Sequence, residues 1–166
     1  MRVIAGTARS LRLKTPEGMD TRPTTDRIKE TLFNMLQHDI PDAVFFDLFA
    51  GSGGIGIEAL SRGARYAYFV ENNRNALSCI TANLEFTHFS DRATVLKQDV
   101  LSALQGIREK EADIIFMDPP YGCGYERQVL QVLKEQSYVT EQTLIVIEAA
   151  VEEDFTHIGE LGFAVT

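Results

Sequence analysis

Ala43-Val-Phe-Phe-Asp-Leu-Phe-Ala-Gly-Ser-Gly-Gly-Ile-Gly56 starts as an apolar run, breaks into glycines, and resumes as a helix-compatible segment from Ile55 to Arg62. An apolar run without polar alternation reads as a strand buried on both faces, as in a helix-covered parallel sheet. Gly63 is placed to end the helix. Gly51, Gly53 and Gly56 fit G-x-G-x-x-G, and Glu71 lies 20 residues beyond Gly51, the spacing at which an acid meets a ribose. Glycines let the backbone turn tightly and approach a ligand, and the helix N-terminus that follows adds free N–H groups. Four glycines within six residues exceed what a packing turn needs. On its own the loop predicts a nucleoside-containing cofactor. It does not choose between NAD and S-adenosylmethionine.

The same unit recurs outward from this stretch. Ala67–Val70 predicts a second strand, followed by a helix over Arg74–Phe86. Ala93–Leu96 predicts a third, with a short helix over Leu101–Arg108. Asp113–Met117 predicts a fourth, with a helix over Tyr125–Gln136, and Thr143–Glu148 a fifth. Tyr125, Glu126 and Arg127 are read as the start of that helix rather than as RNA contacts. Upstream, a helix is expected from Asp26 to His38, with Thr25 as its N-cap. Ile28, Leu32, Met35 and Leu36 give it one apolar stripe. Residues 1–24 are short extended pieces broken by Gly6, Pro16, Gly18 and Pro23, an arm or hairpin. The fold expected is α/β and Rossmann-like: a mostly parallel central sheet with helices on both faces. Its division is a basic arm over 1–24 and a catalytic domain over 25–166. Phe163-Ala-Val-Thr166 begins one more strand, so the last strand is expected to be missing or truncated.

A chain of 166 residues, 45% hydrophobic and 24% charged, suits one soluble domain. No apolar run reaches the roughly 18 residues that span a membrane. Met1-Arg-Val-Ile-Ala-Gly-Thr7 is too polar for a secretory signal, so a cytoplasmic protein is expected. Cys79, Cys123, His38, His88 and His157 show no metal-ligand spacing, and no metal is expected. Cys123 has no role to assign. The net charge of −8 argues against nucleic-acid binding, but residues 1–30 carry seven Lys/Arg against four acids. A basic arm on an acidic body can hold phosphates locally. Arg9, Arg12, Lys14, Arg22 and Arg27 are the candidates.

Asp47, Glu71, Asp99 and Asp118 each fall at or just past the end of a predicted strand. In an open α/β sheet those ends share one edge, where ligands bind. Four converging acids point to a ligand rich in hydroxyl and amine donors. Helix capping is the competing explanation. It fits Asp47 poorly, since Leu48, Phe49 and Ala50 separate it from the glycines. Asp118-Pro119-Pro120-Tyr121 decides between cofactors. Two prolines make a stiff turn without N–H donors, so a carboxylate and a carbonyl stand as fixed acceptors before an aromatic ring. That arrangement suits an amine-bearing planar base and has no evident use in hydride transfer.

Asp47-Leu-Phe-Ala-Gly-Ser-Gly53 resembles motif I of class I methyltransferases, and Asp118-Pro-Pro-Tyr121 their amino-methyltransferase motif IV. Arg2-Val-Ile-Ala-Gly6, Arg22-Pro-Thr-Thr-Asp-Arg-Ile-Lys-Glu-Thr-Leu-Phe-Asn34 and Glu58-Ala-Leu-Ser-Arg-Gly-Ala64 are more specific. They resemble the bacterial 16S rRNA guanine-N2 methyltransferases of the RsmD type. The resemblance implies S-adenosylmethionine as methyl donor and S-adenosylhomocysteine as product. It implies a cofactor site of Asp47, Gly51, Gly53, Glu71, Asn72, Asp99, Val100 and Asp118, with Glu71 on the ribose and Asp99 near the adenine. It places Asp118, Pro119, Pro120 and Tyr121 at the target base, a guanine in 16S rRNA or the 30S particle. A monomer is expected. An adenine-N6 methyltransferase is the nearest alternative, followed by an NAD-dependent oxidoreductase and a non-catalytic RNA-binding module.

Overall fold

The computed structural model describes residues 1–16, 23–120, 122–148 and 156–164. Arg22, Tyr121, Val165 and Thr166, singled out above, lie outside them. Among the described residues five parallel strands are β1 (Val44–Leu48), β2 (Tyr66–Glu71), β3 (Ala93–Lys97), β4 (Ile114–Met117) and β5 (Leu144–Ile147). They stand in the order β3-β2-β1-β4-β5. The helices are α1 (Pro23–Leu36), α2 (Gly54–Ser61), α3 (Arg74–Thr87), α4 (Val100–Gly106) and α5 (Tyr125–Lys134). This is the expected Rossmann-like α/β sheet, helix-covered on both faces. Phe163 and Ala164, expected to open a further strand, are irregular. No helix among the described residues is long and apolar enough to cross a membrane.

The central strand shows why its sequence lacks polar alternation. Val44, Phe46 and Leu48 pack with Leu104, Val129 and Leu130 of α4 and α5. Phe45 packs on the opposite face with Phe33, Leu60 and Ile80 of α1, α2 and α3. Asp47 shares the Phe45 side of the pleat and reaches the start of α2.

Two expectations for α1 are corrected. The helix starts at Pro23, so Thr25 is in its first turn rather than its cap. Proline suits a first helical position, where no N–H bond is forfeited. The buried stripe is also rotated: Lys29, Phe33 and Leu36 face inward, while Ile28 and Met35 are 47% and 76% exposed. A lysine takes a core-facing place because a partner waits there. Its amine lies 3.5 Å from the Glu58 carboxylate and donates to the Arg2 carbonyl at 2.6 Å. Burial holds the Lys29 amine below its usual pKa, with Glu58 and Asp26 opposing.

The same Glu58 anchors the arm. Fully buried in α2, it accepts the Ile4 and Ala5 amides at 2.9 and 3.0 Å and pairs with Arg62 at 2.8 Å. Ser61, one turn on, accepts from the Ala8 amide and donates to the Ala5 carbonyl. Gly6, at φ +88°, passes so close to the Ser61 carbonyl that no side chain fits. The arm closes on itself through an antiparallel Arg2–Arg12 bridge and buries Val3, Ala8 and Leu13 in the α1–α3 core. Asn83 joins its end to the glycine loop, donating to the Lys14 and Ser52 carbonyls. Three separate signature stretches of the sequence are therefore one packed unit.

Candidate active site

The chain runs outward from β1 through β2 to β3, then returns to β4 and β5 on the other side of β1. A crevice opens at the C-terminal strand ends where the order reverses. Here it is a cleft of about 440 Å³. Val70 and Glu71 at the end of β2 line it with Asn72 just past them, and Asp99 and Val100 line it after β3. Asp118, Pro119 and Pro120 line it after β4, and Glu148 after β5. Phe49 and Tyr125 add an aromatic wall, their rings meeting edge-on at 5.5 Å. The structure thus brings together seven of the expected residues: Glu71, Asn72, Asp99, Val100, Asp118, Pro119 and Pro120.

The glycine loop builds one rim. Gly51 and Gly53 have φ of +58° and +86°, a region where side chains are strained. A Cβ on Gly51 would stand in open space, whereas one on Gly56 would overlap the Phe69 ring of β2. Gly51 therefore leaves room for a ligand, and Gly56 lets the helix lie on the sheet. Phe49 also adopts a left-handed φ of +59° without being glycine. Such backbone strain gathers at functional sites.

Glu71 is fixed by this loop. Its carboxylate accepts the Gly51 amide at 2.8 Å and the Asn72 and Asn73 amides at 3.1 and 2.9 Å. A carboxylate has about four acceptor positions, so capacity remains for a ribose hydroxyl. Asp99 does two things at once. It lines the cleft and caps α4, accepting the Leu101 and Ser102 amides at 3.2 and 3.1 Å. Hydrogen bonds from Ser102, then Leu101, hold its carboxyl below the ordinary pKa.

Asp47 corrects the sequence argument against capping. It is 1% exposed and accepts the Gly56 amide, in the first turn of α2, at 2.9 Å. The intervening residues loop out and back, so distance along the chain did not measure distance in space. Asp47 supports the loop from beneath and is not among the cleft-lining residues. Burial pushes its pKa well above the ordinary 3.8, against the Gly56 bond and with help from Asp118 and Glu71. A raised folded-state pKa means this group favours folding most below its unfolded value. That contribution is lost as pH climbs through the window above about 4. Asp47→Asn keeps an acceptor and removes the titration. Urea unfolding across pH 4–8 should show the variant gaining on the wild type as pH rises, and a constant difference would refute this.

Arg9, Arg12, Lys14 and Arg27 are exposed and stand outside the cleft. Tyr125 does begin α5, and it also lines the cleft. Sequence reasoning passed over Phe49 and Glu148. Glu148 satisfies the rule that selected the other acids, a carboxylate just past a strand end. Among the described residues, no group of three or more His, Cys, Asp and Glu is placed to hold a metal.

The family described as conserved hypothetical protein 95 matches residues 1–163. "Putative rRNA methyltransferase YlbH" of Bacillus subtilis is 39% identical over 150 residues, covering 89% of this chain and 82% of that protein. "Ribosomal RNA small subunit methyltransferase D" of Escherichia coli is 37% identical over 152 residues, covering 92% and 76%. The solved structure "Putative methyltransferase yhhF from Escherichia coli" superposes with a TM-score of 0.81 at 36% identity, covering 93% of this chain and 84% of that one. Fold, cleft and these likenesses agree, and the chain belongs to the family of ribosomal RNA small subunit methyltransferase D.

Proposed function

We propose that this protein transfers a methyl group from S-adenosylmethionine to the exocyclic N2 amine of a guanine in 16S rRNA. One observation carries the reading. Asp118 and its two prolines open onto the same cleft as Glu71 and Asp99, across the point where the strand order reverses. The relatives' names support ribosomal RNA as the substrate class.

The cleft suits the cofactor by its acceptors. A ribose diol, an adenine amine and a cationic methionyl group are donors or positive, and Glu71, Asp99 and Asp118 answer them. Open space above Gly51 admits the methionine side. When bound, S-adenosylmethionine supplies an electrophilic methyl group; the protein supplies alignment and electrostatics.

The guanine N2 lone pair is delocalised into its ring and is a poor nucleophile. The Asp118 carboxylate and the Pro119 carbonyl accept its two N–H hydrogens, favour a pyramidal nitrogen and localise the lone pair. Pro119 and Pro120 keep those acceptors fixed, since neither has a backbone N–H or a free φ. Tyr121 takes the base face in this reading. The methylated amine is acidic, so Asp118 or water removes the proton without a strong base. The base leaves its stack to enter, and Arg9, Arg12, Lys14, Arg22 and Arg27 hold the RNA backbone from the arm side.

Calorimetry with S-adenosylhomocysteine and NAD tests the cofactor: the first should bind and the second should not. Tight NAD binding without S-adenosylhomocysteine binding would overturn the reading. Phosphate contacts position RNA and weaken with salt. Reversing Arg9 and Arg12 to Glu should lower RNA affinity and flatten the log–log salt slope by about one for each phosphate no longer neutralised. Fluorescence anisotropy at several salt concentrations measures both, and an unchanged slope would remove the arm from the interface.

A further inference from the structure

We infer that Glu148 reads the target base as guanine, by accepting its N1–H beside the amine held at Asp118. This rests on the methyl-transfer reading above and names the group that selects the base. Met117 and Ile147 are register partners at the ends of β4 and β5, so Asp118 and Glu148 leave adjacent strands at the same level. The Glu148 amide donates to the Met117 carbonyl at 3.0 Å, which extends the pairing to that point. Neighbouring strands stand about 4.8 Å apart, and both acids line the cleft. Glu148 is half-buried.

The order of strands assigns the two ends of the cleft. Asp99 follows β3, Glu71 ends β2, Asp118 follows β4, and Glu148 follows β5 beyond it. The cofactor acids and Glu148 thus lie on opposite sides of Asp118. A base presenting its amine to Asp118 has its neighbouring ring edge within reach of β5. On the Watson–Crick edge the group next to guanine N2 is N1–H, a donor. In adenine the atom next to N6 is N1, an acceptor, and in cytosine the atom next to N4 is N3, also an acceptor. A carboxylate accepts the first and repels the other two. Asp118-Pro-Pro alone suits any of the three amines, so the choice falls to the β5 residue.

The test uses 2-aminopurine, which keeps the N2 amine and lacks N1–H. The acceptor guanosine, located by mass spectrometry after transfer by the wild-type enzyme, is replaced by 2-aminopurine in the rRNA. Wild-type kcat/KM should favour guanine by roughly 10- to 100-fold, the worth of one charged contact to a base edge. Glu148→Gln and Glu148→Ala should bring that ratio close to one by slowing guanine alone, with S-adenosylhomocysteine affinity and Tm unchanged. Equal wild-type rates on the two bases would overturn the proposal. So would variants that slow both bases equally. A wild-type product of N6-methyladenine would instead overturn the underlying guanine reading, before any variant is made.

Discussion

Asp118→Ala should lower kcat on the order of 10²- to 10³-fold, while S-adenosylhomocysteine affinity changes by less than an order of magnitude. The carboxylate acts on the amine in the transition state, when the nitrogen loses conjugation and its hydrogens become more acidic. Removing an interaction that strengthens at that moment lowers turnover more than binding. The rim formed by Gly51, Glu71 and Asp99 is untouched by the change. Single-turnover transfer with saturating cofactor, alongside calorimetry, separates the two effects. Lost cofactor affinity with preserved turnover would move Asp118 out of the catalytic role.

Glu58→Ala should destabilise the protein by about 3–5 kcal/mol, because it strands a buried ammonium. Lys29 is 1% exposed and loses its carboxylate partner, while the Ile4 and Ala5 amides lose their acceptor. For a domain of this size the loss corresponds to a Tm lower by roughly 6–20 °C. Lys29→Met added to Glu58→Ala should recover much of it, since an apolar side chain of similar length needs no partner. Thermal unfolding of the single and double variants measures the coupling. If the double variant is no more stable than the single one, the buried pair is not what makes Glu58 necessary.

The sheet was legible because its strands are short apolar runs separated by glycine or polar turns, and Gly51-Ser-Gly53 marks the turn after β1. Glu71 and Asp99 were legible for the same reason: strand ends in a parallel sheet share one edge, so order along the chain is enough. Side-chain pairing across the fold was not legible. Ile28 was read as part of the apolar stripe and Lys29 was left off it, because helical spacing alone cannot reveal a buried carboxylate on another helix. The Glu58 network lay in plain view as three signature stretches, yet nothing local says that Arg2–Gly6 packs on Glu58–Ala64. Asp47 was misjudged from its separation along the chain, which the glycine loop folds away. Tyr121 and Arg22 lie outside the described residues, and their roles rest on the sequence.

The most direct test of the whole account is methyl transfer from labelled S-adenosylmethionine to 30S subunits and naked 16S rRNA lacking the modification, with the product nucleoside identified by mass spectrometry. The account predicts N2-methylguanine in 16S rRNA, formed by the wild type and lost with Asp118→Ala. N6-methyladenine, or a label that Asp118→Ala does not reduce, would contradict it.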